Sequence, residues 1–269
     1  MAANVPSSFI TQWADEVKHS YQQKGSKLAG CVRRVSGVVG STHEFHTLGQ
    51  VAATTKVRDA DVVALNPTQA TRVATLADAY GPIYLDKLDE VKTNADFRRE
   101  YVMTAASAIG RNEDDVIIAA MAATPTSIPS GVAGLTYDKI LGAIELLNDQ
   151  DVEMEDRFMV IGPRQMTDAL GIQQLTSSDF LQVQAVMKGQ VDSALGLQWK
   201  LSTRLPLAAA ERSCFVFDKY SIGEAVGMDI TTEVNYIPEK VSYLINSFHS
   251  VGAVVIEDAG MIEVLNDES

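Results

Sequence analysis

Apolar positions recur every four residues at Phe9, Trp13, Val17 and Tyr21, which predicts an amphipathic helix near the start of the chain. Ser7 or Ser8 can cap it behind Pro6, and Gly25 in Lys24-Gly25-Ser26-Lys27 suits its end. A lone helix of about 15 residues is marginal in water. Its stripe must therefore dock on the core of this chain or on a neighbouring chain.

Residues 30–75 read differently. Glycines (Gly30, Gly37, Gly40, Gly49), Val and Thr dominate, with one Phe and no Trp, Tyr or Ile. Alternations such as Val51 to Val57 suggest strands. The pattern predicts a long β-hairpin or extended loop with little core of its own. Such a segment suits a job outside the compact body, as a protruding arm.

Strand-like stretches follow at Arg72–Leu76 and Pro82–Leu85. Phe97, Tyr101, Ala105, Ile109, Val116 and Ala120 then keep helical spacing, behind a cap at Asn94 or Asp96 and up to Pro125. This predicts a rod of about 45 Å, with Gly110 marking a close contact or bend. Beyond a Pro/Gly-rich stretch at 124–134, the pattern predicts a helix over 137–147, a buried strand over 157–162 and a short helix over 163–170. It continues with a helix from Ser177 or Ser178 to Met187 and strands at 197–205 and 213–220. The rest is mostly β, with strands at 230–236, 241–248 and 251–256.

Composition narrows the class. The 269 residues carry 22 Lys+Arg against 35 Asp+Glu, a net charge of −13, with 46% apolar content. These are globular values, and the length suits one or two domains. The longest apolar runs, 117–123 and 251–256, fall far short of the roughly 20 residues of a membrane span. The N-terminus lacks the basic and apolar regions of a signal peptide. The acidic balance argues against tight phosphate or anionic-membrane binding. Cys31 and Cys214 have neither metal-like spacing nor a disulfide framework, so both are expected reduced.

Catalytic chemistry is sparse. His43-Glu44-Phe45-His46 puts its histidines three apart in a Gly/Thr-rich segment, unlike the His-Glu-x-x-His helix of a zinc site, and reads as an exposed polar turn. His19 and His249 read as surface or interface residues. Gly25-Ser26-Lys27 lacks the upstream glycine of a P-loop. Glu113, Asp114 and Asp115 are consecutive, so on a helix they fan out rather than converge. Ion pairing with Arg111, or with a cation on another strand or chain, is the simpler reading. The carboxylates at 149–156 read as a solvated loop, and Trp13 and Trp199 as core or interface anchors. No metal or cofactor is expected. The chain reads as something built to touch neighbours.

In that order the segments resemble the major capsid proteins of tailed double-stranded-DNA bacteriophages, which share the Hong Kong 97-type fold. The likeness is carried by Gln12–Tyr21 running into Gln22–Leu28, by Thr75–Tyr80 with Asp86 and Asp89, and by Tyr101 followed by Ala108–Ala120. It continues in Phe158–Pro163 and Leu175–Phe180. The resemblance implies an α+β subunit with an N-arm (1–30), an extended β-hairpin loop (31–75), a peripheral domain with a long spine helix (76–125 and 230–269) and an axial domain (126–229). It implies hexamers and pentamers that close an icosahedral shell around a double-stranded DNA genome, bound without sequence specificity. A heterologous, closing arrangement makes both a thin arm and a striped N-terminal helix tolerable, because a neighbour covers them. Phe9, Trp13, Val17, Tyr21, Arg111, Asp114 and Asp115 are the candidate intersubunit contacts. With about 30 residues ahead of the arm, a separate scaffolding protein is expected, along with a portal and optionally a decoration protein. The virion is the expected location, after assembly in the host cytoplasm.

Two rivals predict different things. An encapsulin-type shell has the same fold and encloses a cargo enzyme. A soluble metal-dependent enzyme using Asp114, Asp115 or His43 predicts a small discrete oligomer with a bound divalent ion.

Overall fold

A computed structural model describes residues 22–87, 97–172 and 193–269. The expected N-terminal helix, with Phe9, Trp13, Val17 and Tyr21, lies outside the described residues, as do Asn94, Asp96 and the expected helix from Ser177.

The described strands are β1 (Arg33–Ser36), β2 (Thr42–Leu48), β3 (Gln69–Thr75), β4 (Ala77–Asp86), β5 (Ser127–Ile128), β6 (Arg157–Ile161) and β7 (Ser193–Ala194). They continue with β8 (Leu197–Leu201), β9 (Leu207–Ala208), β10 (Glu211–Asp218), β11 (Ile222–Ile237), β12 (Ser242–Val255) and β13 (Met261–Asp267). The described helices are α1 (Phe97–Met121), α2 (Tyr137–Asp149) and α3 (Pro163–Gly171). The strands form a seven-stranded sheet in the order β5-β13-β10-β6-β8-β7 with β9 on β10, a four-stranded sheet β1-β11-β12-β4, and the hairpin β2-β3.

The chain divides into two compact units. The larger holds 26–78, 112–229 and 250–269. Its centre is β6, whose five residues are all buried and which pairs in parallel with β8 and antiparallel with β10. A continuous apolar run is what a strand covered on both faces requires. Phe158 and Phe217 stack at 5.9 Å, and Ile117, Met121, Ile140, Leu147, Met159 and Phe215 pack into the same core. Thr136 caps α2 by accepting from the Lys139 N–H at 3.4 Å, and α3 begins with Pro163 at its first turn. Arg157 is buried but satisfied by Asn148 Oδ1 at 2.8 Å and Glu153 O at 2.7 Å. Trp199 is a core anchor, its indole N–H donating to Ala194 O at 3.4 Å.

The smaller unit takes in 79–111 and 230–249. Gly81 lies against Ala105 and Ile109 of α1, where an added Cβ would stand 3.5 Å from the Ile109 side chain. Thr232 and Ser247 hydroxyls bond at 2.7 Å between β11 and β12. Tyr236 and Tyr243 meet at 5.4 Å, with Lys87 over the Tyr236 ring and Arg98 over Tyr243.

Several expectations change. The rod is α1, 25 residues and about 37 Å long, shorter than expected. Its buried positions are Ala105, Ser107, Ile109, Gly110, Glu113, Asp114, Ile117, Ile118 and Met121 rather than Val116 and Ala120. The stripe therefore runs through two acids. The strands expected at 241–248 and 251–256 are one strand, β12, because Gly252 sits against the Thr75 backbone and needs no break. Strand β11 begins at Ile222, eight residues before the expected start, through Gly223 and Gly227. Those glycines have a steric reason: a Cβ on Gly223 would stand 2.6 Å from Phe45 Cζ, and one on Gly227 2.7 Å from Leu76 Cδ2. His43–His46 is strand, not turn. His249 is buried rather than on the surface.

Candidate intersubunit surface

The arm is built from its base outward. In β2, side chains alternate and Phe45 alone is fully buried, packing with Ala74, Ala225 and Ile256. Arg33 lies over its ring at 5.8 Å, and His43 meets its edge at 4.7 Å. Across the pair, Arg72 of β3 reaches Asp258 at 2.6 Å. Above this anchorage, Gly49 N–H donates to Thr68 O at 2.7 Å and closes the base of the stretch from 49 to 68. Every residue from 49 to 68 is exposed. Val57, Val62 and Val63 are 79%, 75% and 68% exposed, an apolar surface that the described residues leave uncovered.

The three consecutive carboxylates Glu113, Asp114 and Asp115 of α1 fan out as expected, each toward a different partner. Asp114, with no exposed surface, accepts from Ser26 Oγ at 2.6 Å and from the N–H groups of Lys27 at 3.0 Å and Leu28 at 3.1 Å. Gly25, at φ 73°, turns the chain into this nest of donors. The Gly25-Ser26-Lys27 segment does gather an anion, but the anion is the chain's own aspartate. Asp115 holds Arg204 through both of its carboxylate oxygens, which accept from Nε and Nη2, and this raises the arginine's affinity for its proton. Glu113 pairs with Arg34 at 3.2 Å, and Arg34 also reaches Asp229 at 2.6 Å. Arg111 donates to Gln22 Oε1 at 3.0 Å and to Gln23 O at 3.1 Å. Arg111, Asp114 and Asp115 thus all have partners within the chain.

Metal and nucleophile chemistry finds no footing among the described residues. His43 and His46, three apart on a strand, point to opposite faces, and His46 Nδ1 sits 3.1 Å from Thr71 Oγ1. No group of three or more His, Cys, Asp or Glu side chains is placed to hold a metal among the described residues. Cys31 and Cys214 are buried and unpaired with each other. Burial pushes the Cys214 thiol up to about 12, so it stays protonated.

Sequence reasoning missed Arg34, Arg204, Glu224 and the anchoring role of Phe45. Phe45 carried a signal, as the one large apolar side chain in a thin segment. Arg34 and Glu224 carried none, because the parallel register Arg34↔Glu224 joins positions remote in sequence.

A family model described as phage capsid protein matches residues 5–268. The chain belongs to the phage capsid protein family. Its members are structural shell proteins, not enzymes, and the soluble metal-enzyme and encapsulin readings have no support. Solved structures agree on the fold. Mycobacterium phage Che8 matches with a TM-score of 0.79 at 18% identity, over 97% of this chain and 98% of that one. The capsid of cyanophage P-SCSP1u matches at 0.78 and 18%, over 100% and 97%. The capsid of a native GTA particle matches at 0.78 and 12%, over 98% and 97%. At such identities the likeness establishes the α+β fold of the Hong Kong 97 type and nothing finer. No protein of curated function matches the sequence. As a capsid protein, the chain has its place in the virion shell.

Proposed function

We propose that this capsid protein forms hexamers and pentamers that close an icosahedral shell around double-stranded DNA. The observation that carries the reading is the exposed arm, anchored at Phe45 and apolar at Val57, Val62 and Val63, in a chain matched by the capsid family over 5–268. A surface of that kind is stable in water once a neighbouring subunit covers it. In this reading 1–30 is the N-arm, 31–75 the extended loop, 76–125 with 230–269 the peripheral domain and 126–229 the axial domain. The stripe of Phe9, Trp13, Val17 and Tyr21 docks on a neighbour. The net charge of −13 keeps the wall from gripping the duplex, since lysine–phosphate contacts are what make such binding tight. A separate scaffolding protein directs closure in the host cytoplasm, and a portal fills one vertex.

Expression of the full chain, alone and with its scaffold, followed by negative-stain microscopy and light scattering, tests this. Shells, tubes or five- and six-membered rings are expected, and DNA protected from nuclease is expected in particles assembled during infection. A folded chain that stays monomeric with its scaffold overturns the reading.

A further inference from the structure

Among the described residues of the larger unit, Glu224 is a buried charge-bearing group held only by a distant, shared cation. Glu224, on β11, has no exposed surface. Neither of its carboxylate oxygens has a hydrogen-bond partner among the described residues. Arg34 of β1 is the nearest cation, its Nε 3.9 Å from Glu224 Oε2, beyond hydrogen-bond reach. That same guanidinium is already engaged by Glu113 at 3.2 Å and Asp229 at 2.6 Å. The Glu113 carboxylate, 5% exposed, comes from α1 and converges with Glu224 on that one guanidinium. Asp114 adds a further negative charge from the same helix turn. On the far side of β11, the 250–255 stretch of β12 brings no titratable group. One arginine therefore serves three carboxylates, two of them buried.

We propose that Glu224 holds a proton in the folded subunit, and that losing it loosens the seam between α1 and the strands β1 and β11. Burial first, then repulsion from Glu113, pushes the Glu224 carboxyl up to about 8. The sign follows from proton counting. From about 4.5, the ordinary value, up to about 8, the folded chain holds a proton that the unfolded chain has released. Folding stability from this group is complete below that interval and is lost as pH rises through about 8. One such proton lowers the folding constant about tenfold per pH unit. The proposal concerns the subunit and does not depend on how subunits assemble.

Infrared pH-difference spectra of the full chain test it directly. A carboxylic-acid C=O band should persist at about pH 6, where ordinary glutamates have ionised. It should vanish with a midpoint near 8 and be missing in Glu224→Gln. In Glu113→Gln the midpoint should fall, because repulsion is removed while Arg34 remains. Denaturant unfolding between about pH 5 and about pH 8 should show the tenfold-per-unit dependence flattened in Glu224→Gln and retained in Asp115→Asn, whose ion pair lies outside the buried pair. The proposal is overturned by a wild-type spectrum without the band. It is equally overturned by a band that survives in Glu224→Gln. If Glu224→Gln does not fold, the wild-type midpoint and its fall in Glu113→Gln decide.

Discussion

Adjacent carboxylates on α1 have unequal weight. Asp114 is fully buried and binds one hydroxyl and two backbone N–H groups, so removing it strands the buried Leu28 N–H and loosens the partly buried Ser26 and Lys27 donors. Asp114→Ala is expected to cost about 3 kcal/mol, the scale of losing charged hydrogen bonds and leaving buried groups unsatisfied. Asp115 and Arg204 form a bidentate pair, but their side chains are 39% and 33% exposed, and solvent screens them. Asp115→Ala should cost under about 1 kcal/mol. Denaturant midpoints of the two variants check the order, and equal losses would contradict the burial argument. At this scale the sequence was legible in part. Three successive acids on a helix had to point three ways, but that Asp114 is the one buried without residual exposure depended on the turn at Gly25 and on residues 26–28, far away in sequence.

Elements show the same division more sharply. Strand β6 was readable because Phe158 to Ile161 is an unbroken apolar run. Strand β13 was not: Glu263, Asn266 and Asp267 dilute its pattern, and only its place between β5 and β10 explains it. The first half of β11 was hidden by glycines that propensity disfavours and packing demands. The hairpin β2-β3 was foreseen as an arm, while its anchorage was not. Phe45→Ala should release that anchor, since it empties a small satellite core of Ala74, Ala225 and Ile256. A loss of about 3 kcal/mol is expected, along with faster proteolytic cleavage between β1 and β3 while the seven-stranded sheet stays protected. Unchanged cleavage would show that the Arg72–Asp258 pair suffices to hold the arm.

Among the described carboxylates, Glu268 and Glu224 titrate with opposite sign on either side of neutral pH. At the end of β13, Arg212 and Gln165 bind the Glu268 carboxylate and hold it below the usual range, the arginine contributing most. A depressed value means that this stability is present above about 4.5 and is lost as pH falls through the lowered value. Glu268→Gln should therefore narrow its stability gap from wild type as the solution is acidified, measured by thermal unfolding from neutral pH downward. Glu224 acts in the other direction on the alkaline side. Neither group was visible from the net charge of −13, which counts carboxylates without placing them.

The bond from Gly49 to Thr68 has an evolutionary consequence. Everything between those residues hangs from a closed base, so its length is nearly decoupled from the fold beneath. Doubling such a loop adds only about 0.6 kcal/mol of closure entropy. Lineages can lengthen, shorten or recompose this stretch, and so acquire new neighbours, without renegotiating the core that carries it.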